Sequence, residues 1–495
     1  MTQLNNHNVG KLGSPIATPD YDRSTITPGI VHIGVGGFHR AHQAMYLDGL
    51  MNRGEALDWG IVGVGVMPGD KRMQQALVAQ DYLYTLVVKH PDGRYEPRVI
   101  GSMVDYLFAP EATEAVIEQM ADPQIRIVSL TVTEGGYNFH PVTGEFDLDN
   151  PQVRDDLANP TQPSSSFGLV VEALVRRRER GIAPFTVMSC DNIQGNGDVA
   201  KRMFSAYARA RDNALGEWVA DQVAFPNAMV DRITPVTSEA DISELSQHFE
   251  IEDAWPVVCE PFTQWVLEDH FPLGRPALDK VGVQLVDDVE PYELMKLRLL
   301  NASHQALTYF GYLAGYRYAH EVCQDTLFVD FLLGYMREEG SPTLAPVPGV
   351  DLEAYRLTLI ERFANPQIKD TLARLCAESS DRIPKWLVPV IRQQLADGGE
   401  IKRSAAVVAS WARYAEGVDE QGEPIEIVDR LKTSLMQIAA NNRTQPTAFV
   451  ENREVFGDLA DQPRFLAAYL AALTSLHERG ARATLEDLVS SKGIQ

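Results

Sequence analysis

A chain of 495 residues, 45% hydrophobic and 23% charged, has globular composition and enough apolar content for more than one core. Its 68 acidic and 44 basic residues leave a net charge of −24, which argues against a basic surface for nucleic acid or an anionic membrane. The four cysteines (Cys190, Cys259, Cys323, Cys376) lie far apart, and the eleven histidines include no HExxH or zinc-spaced cluster, so a reducing cytoplasm and no metal are expected.

Residues 1–28 read as a polar leader with no apolar signal region, and no uncharged run reaches the ~18 residues of a membrane span. From Gly29 strands and helices alternate. GIVHIGVG (29–36) is a short apolar run ending in glycines, and a helix follows over 41–54. Further β-rich runs are WGIVGVGV (59–66), YTLVVK (84–89), RIVSLTVTEGG (126–136) and FTVMSCDN (185–192). Helical segments over 110–121 and 167–181 lie between them, with a loop over 159–166. This alternation predicts parallel βαβ units and an open α/β sheet. VQLVDD reads as a last strand and Pro291 as a turn. Helical spacing then dominates, over 292–315, 323–339, 351–364, 366–378, 384–396, 402–416 and 464–478, with a Pro-rich loop over 341–351.

Four places carry chemistry. Gly34-x-Gly36 stands between a strand and a helix, the context of a dinucleotide turn, where glycine lets the backbone approach a pyrophosphate and the helix start supplies amide donors. His39 stands where the third glycine of the fingerprint is expected, implying looser packing or a ligand contact, and Arg40 is placed to meet phosphate. The alternative is a glycine turn that binds nothing. Asp70, after the second strand, suits the ribose hydroxyls and would favour NAD over NADP, with Lys71 and Arg72 beside it softening that choice; a solvated loop aspartate is the alternative. The ends of SLTVTEGGY (129–137) and MSCDNIQGNG (188–197) should converge at the ligand crevice, with Asn192 facing it, unless Asp191 and Asn192 only cap the next helix. Asp231-Arg232, taken alone, reads as structural or solvated.

The fourth place is KLRLLNASH (296–304). At about 100° per residue an α-helix puts Lys296, Glu293, His304 and Asn301 at roughly 0°, 60°, 80° and 140°, on one arc shared with Leu297 and Leu300. On such an arc the lysine is the group able to take a proton from a ligand. A lysine does so only when neutral, titrating near pH 7–8 instead of about 10.4, and partial burial drives it that way. The other reading is a surface lysine with a satisfied asparagine and histidine.

Five motifs in this order, GxGxFHRAH (34–42), TEGGY (133–137), SCDN (189–192), FPNAMVDRITP (225–235) and K-x4-N-x2-H (296–304), resemble the long-chain polyol-specific dehydrogenase/reductase family, also called the mannitol dehydrogenase family. The similarity runs over nearly the whole chain. The resemblance implies an N-terminal Rossmann-type NAD-binding domain with its leader (1–288) and a mostly α-helical substrate domain (289–495), with the site between them. It implies metal-independent hydride transfer between a polyol C2 and NAD, with D-mannitol and D-fructose as the leading pair and D-arabinitol and D-sorbitol as further substrates. Lys296 becomes the general base, Asn192 and Asn301 hold the reacting oxygen, His304 positions the substrate, and Glu293 relays the proton. Asp231 and Arg374 match positions that bind substrate hydroxyls. The cofactor side is expected to use Gly34, Gly36, Gly37, Phe38, His39, Arg40, Asp70, Glu134 and Asn192. Gly69 precedes Asp70 where similar members carry an acidic pair, which leaves the strictness of NAD selection open. A cytoplasmic monomer is the expected state. A hexuronate reductase and a non-catalytic dinucleotide-binding protein are the competing readings.

Overall fold

The computed structural model describes residues 1–140 and 143–490. The chain divides into two compact units, Met1–Glu290 and Pro291–Gln495.

The first unit is built on a five-stranded parallel sheet. Its spatial order is Met103–Phe108, Gly60–Gly65, Pro28–Ile33, Ile127–Leu130 and Thr186–Ser189. In chain order this is 3-2-1-4-5, a Rossmann-type doubly wound arrangement whose switch point lies between the first and fourth strands. Alternation along each strand sends side chains to opposite faces. Val31, Ile33, Val62, Val64, Val128, Leu130 and Val187 enter one core, while Ile30, Ile61, Ile127 and Met188 enter a second. Both faces are therefore covered, as the short continuous apolar runs require.

Three departures from the predicted elements have local causes. YTLVVK forms Tyr84–Lys89, but in a separate three-stranded sheet between Val257–Cys259 and Tyr95–Ile100. The helix expected over 41–54 starts earlier, as Gly37–Ala41, breaks at His42 (φ −125°, ψ −88°) and resumes as Gln43–Met51. The run read as a strand over 126–136 leaves the sheet after Leu130, because Thr133 adopts φ 64° and turns the chain. The leader is tied down, with Thr2–Gln3 pairing beside Ile251–Glu252 and Leu4 fully buried. A third small sheet orders Gln284–Val286, Gln264–Glu268 and Ala228–Asp231.

The second unit is helical. Ala302–Leu313 is buried along most of its length and packs against Leu372–Cys376 and Lys402–Tyr414. Two interruptions matter for function: Lys296–Asn301 and Met336–Gly340 are π-helical, not α-helical. The helix expected over 366–378 shrinks to Leu372–Cys376, since Pro366 and the left-handed Lys369 (φ 52°) keep the preceding residues out of it. The last helix runs farther than expected, Pro463–Ser490, and bends at Gly480 (φ 83°), where the Glu420 carboxylate accepts the Ala481 amide. No described helix is long and apolar enough to cross a membrane. All four cysteines are free thiols in the interior.

His32, on the first strand, is fully buried beneath the glycine turn. Its ring stacks on His39 at 3.4 Å, with Nδ1 2.8 Å from Ser129 Oγ and Nε2 2.9 Å from Thr131 Oγ1. Burial pushes its pKa down to about 3, so the native state keeps the imidazole neutral while the unfolded chain protonates below about 6.5. Stability from this group is present at neutral pH and lost as the pH falls from about 6.5 towards 3. Between pH 7.5 and 5 the unfolding free energy should drop by about 2 kcal/mol more in the wild type than in His32→Asn. Urea denaturation at the two pH values checks this, and equal drops in the two proteins would contradict it.

Candidate active site: a glycine turn, a clamped loop and a π-helical lysine

In the first unit the parallel register sets Ile33 opposite Val64 and Leu130, and Leu130 opposite Ser189. The loops after these strands therefore leave from one edge, the edge at which doubly wound sheets bind ligands. Gly34 has φ 93°, and a Cβ there would lie 2.2 Å from the Thr131 carbonyl oxygen, so only glycine fits. Its carbonyl accepts from Thr131 Oγ1 at 2.7 Å. A Cβ on Gly36 would meet nothing nearer than the Gly34 carbonyl oxygen at 3.9 Å, so the backbone is open to close approach at this point.

The side chains after the turn correct two expectations. His39 is buried against His32 with Nδ1 3.1 Å from Gln43 Oε1, and Arg40 is fully buried. The Arg40 guanidinium donates to the Trp255 carbonyl at 2.5 Å and lies 5.1 Å from the centre of the Tyr84 ring. The short first helix turns both side chains inward, away from the ligand role expected of them, and the Arg40 amide is itself taken by the Gly36 carbonyl at 3.2 Å. Phe38 likewise stacks on His42, with ring centres 4.8 Å apart.

Asp70 begins the helix Asp70–Ala79, and its Oδ2 accepts the amides of Val66 and Met67, each at 2.9 Å. It thus staples the loop after the second strand. Lys71 pairs with Glu111, and the Arg72 guanidinium lies 4.7 Å from the centre of the Trp255 ring.

Asp191 does more than cap a helix. Its carboxylate reaches across to the loop after Leu130, accepting from Val132 N (3.1 Å), Thr133 N (2.8 Å) and Tyr137 Oη (2.8 Å). Burial pushes this carboxyl above its ordinary range, against the pull of those three donors. The clamp fixes Thr133 at its positive φ and leaves Glu134 exposed at the start of the 3-10 turn Glu134–Tyr137, whose Tyr137 is buried. Asn192, the next residue, is exposed on the neighbouring loop. Asn196 is fully buried and ties this loop to the strand that ends in Asp231: Nδ2 donates to the carbonyls of Asp191 (3.0 Å) and Ala228 (2.7 Å), and Oδ1 accepts from Ala228 N (2.9 Å). Asp231 is buried at the strand end, while Arg232 is structural, donating to the carbonyls of Ala41 and Glu260.

In the second unit, Glu293, Lys296 and Asn301 are 7%, 8% and 4% exposed, so the surface-lysine reading fails. The wheel drawn for an α-helix fails as well. With i→i+5 bonding the residue one turn above Lys296 is Asn301, which draws the two onto one face instead of leaving them about 140° apart. Asn301 Oδ1 is buried with no hydrogen-bond partner among the described residues. The His304 ring packs on Phe363 with centres 4.6 Å apart. Arg374 lies on a different helix, half exposed, its guanidinium held by both oxygens of Asp370 at 2.7 and 2.6 Å. Asp191 and Asn196 were within reach of sequence reasoning, as polar residues at a strand end. A π turn leaves no distinct mark in apolar spacing.

Comparison with known proteins gives a consistent answer. A family model for the mannitol dehydrogenase Rossmann domain matches residues 28–280, and one for the mannitol dehydrogenase C-terminal domain matches residues 288–477. A mannitol 2-dehydrogenase of Aspergillus fumigatus is 45% identical over 99% of both chains. One of Phaeosphaeria nodorum is 46% identical over 98% of this chain and 85% of its own. Among solved structures, the Pseudomonas fluorescens mannitol 2-dehydrogenase ternary complex with NAD and D-mannitol matches with a TM-score of 0.90 and 47% identity, over 99% of this chain and 100% of that one. A substrate-free D-sorbitol dehydrogenase matches with a TM-score of 0.91 and 38% identity, over 97% and 99%. With both of its units matched by the corresponding models, this chain belongs to the mannitol dehydrogenase family.

Proposed function

We propose that the protein is an NAD-dependent polyol 2-dehydrogenase that interconverts D-mannitol and D-fructose, with D-arabinitol and D-sorbitol as further substrates. The observation that carries this is the buried π turn holding Lys296 and Asn301 on one face, in a chain 47% identical to a protein captured with NAD and D-mannitol. The similar D-sorbitol dehydrogenase supports the wider substrate range.

The first unit fits a dinucleotide. Gly34 is held against Thr131, Gly36 is open to close approach, and the helix Gly37–Ala41 starts directly after the turn, where first-turn amides have no partner within a helix. When bound, NAD supplies the hydride acceptor. The Asp70 carboxylate, fixed at the end of the second strand, favours ribose hydroxyls and disfavours a 2′-phosphate. Lys71 and Arg72 are engaged with Glu111 and Trp255, which limits their help to such a phosphate.

In this reading Lys296 removes the hydroxyl proton as hydride leaves C2. Burial works against the ammonium form, and the amine accepts the proton only in its neutral state. Asn192 and Asn301 donate amide hydrogens to the oxygen as it gains charge, a stabilisation that needs no proton movement. His304 orients the substrate, Asp231 and Arg374 bind its other hydroxyls, and Glu293 passes the proton towards solvent. On the family resemblance and the four free thiols, we take the protein to act as a monomer in the cytoplasm.

Lys296→Ala should lose most turnover at neutral pH, with partial recovery on adding a primary amine; wild-type turnover in a folded variant would end the assignment. Asn192→Ala and Asn301→Ala should each reduce kcat by at least about tenfold while NADH affinity, read by fluorescence titration, stays near normal. A spectrophotometric panel should show D-mannitol, D-arabinitol and D-sorbitol oxidised with NAD ahead of NADP, and D-fructose reduced with NADH. Preference for fructuronate over fructose would favour a hexuronate reductase, and inactivity on every ketose and ketouronate would favour a non-catalytic binder.

A further inference from the structure

The two π-helical turns of the second unit meet at the Arg298 carbonyl. Ala302 donates its amide five residues back, to the Leu297 carbonyl. Where the spacing returns to four in the helix Ala302–Leu313, the next amide, Ser303, counts back to Leu299. The carbonyl of Arg298 is passed over by the ladder. A carbonyl passed over inside a protein needs a donor from elsewhere, and the Tyr335 hydroxyl supplies one at 2.9 Å.

Tyr335 is the residue from which the second π turn, Met336–Gly340, departs, and its side chain is fully buried. Gly340 closes that turn against the first: a Cβ there would lie 2.9 Å from Leu299 Cδ2 and 3.3 Å from the Arg298 carbonyl oxygen. The Arg298 guanidinium donates to the Thr343 carbonyl at 2.5 Å, just beyond the second turn. That turn is itself anchored. The buried Glu339 carboxylate accepts the amides of Arg403 (2.7 Å) and Ser404 (2.8 Å) and the Ser404 hydroxyl (2.5 Å) at the start of the helix Lys402–Tyr414. A continuous set of bonds thus runs from that helix to the turn carrying Lys296. Burial, with the Glu339 charge next in weight, pushes the Tyr335 phenol well above its ordinary value, so the hydroxyl stays a donor throughout the working pH range.

We propose that Tyr335 is a positioning residue for the reaction: its hydroxyl holds the π turn Lys296–Asn301 in register, and thereby sets the placement and burial of the Lys296 amine. This rests on the reading of Lys296 as base. Tyr335→Phe removes only the hydroxyl. Hydrogen exchange of peptides covering 293–305 should quicken by about tenfold, with the rest of the unit unchanged. In the same variant kcat for mannitol oxidation should fall about 5- to 20-fold, and the rise of kcat/KM with pH should move about 0.5–1 unit higher as water reaches the amine. Tyr316→Phe, which removes a hydroxyl bonded to Asp325 elsewhere in the unit, should change neither readout.

Unchanged exchange, or faster exchange with an unmoved pH profile, overturns the proposal. If Tyr335→Phe does not fold, Gly340→Ala presses on the same contact from the opposite side and should give the same two signatures, their absence again being decisive. A wild-type pH profile in Lys296→Ala would instead defeat the base assignment, an outcome the exchange measurement separates from failure of the clasp.

Discussion

Main-chain polar groups inside a protein must find partners, and this requirement bears hardest where strands and helices stop or change pitch. In this molecule the partners come from side chains, most of them distant in sequence. Asp70 takes two amides at the end of the second strand. Asp191 takes two amides from the loop after the fourth, and Asn196 ties its own loop to the strand Ala228–Asp231. Glu339 takes the first amides of the helix Lys402–Tyr414, and Tyr335 takes the carbonyl that the π turn leaves over. Each of these bonds fixes irregular backbone, and that irregular backbone carries most of the candidate groups.

The two units divide the chemistry. The first offers a turn that only glycine can make and loops emerging from one sheet edge, suited to recognition through main-chain atoms. The second offers a buried amine, a buried carboxyl group and a buried carboxamide on and beside one turn of helix, suited to moving a proton. Recognition by backbone needs no basic side chains, so a net charge of −24 is no obstacle to a pyrophosphate at such a turn.

Much of the scaffold was legible in the sequence. The four strand runs at 29–36, 59–66, 126–136 and 185–192 are all in the main sheet, because short apolar runs bounded by glycine and polar residues have few other ways to be buried. YTLVVK was legible as a strand but not as a member of another sheet, since propensity names a conformation and not a neighbour. His39 and Arg40 looked ligand-directed because they follow a glycine turn. They face inward because the helix there lasts only five residues before His42 redirects the chain. The π turns were illegible for a related reason. One residue added to a helix leaves apolar spacing nearly intact while rotating everything beyond it, so Lys296 and Asn301 look farther apart on paper than they are in the fold.

The four interior cysteines bear on how such a protein ages. Burial pushes all of their thiols up, those of Cys259 and Cys376 to about 12. Oxidants and alkylating agents attack the thiolate, which these residues scarcely form and do not present to solvent. A protein whose proposed work is to pass reducing equivalents thus keeps its own thiols out of that traffic, and oxidation of its cysteines by peroxide has to begin with local or global unfolding.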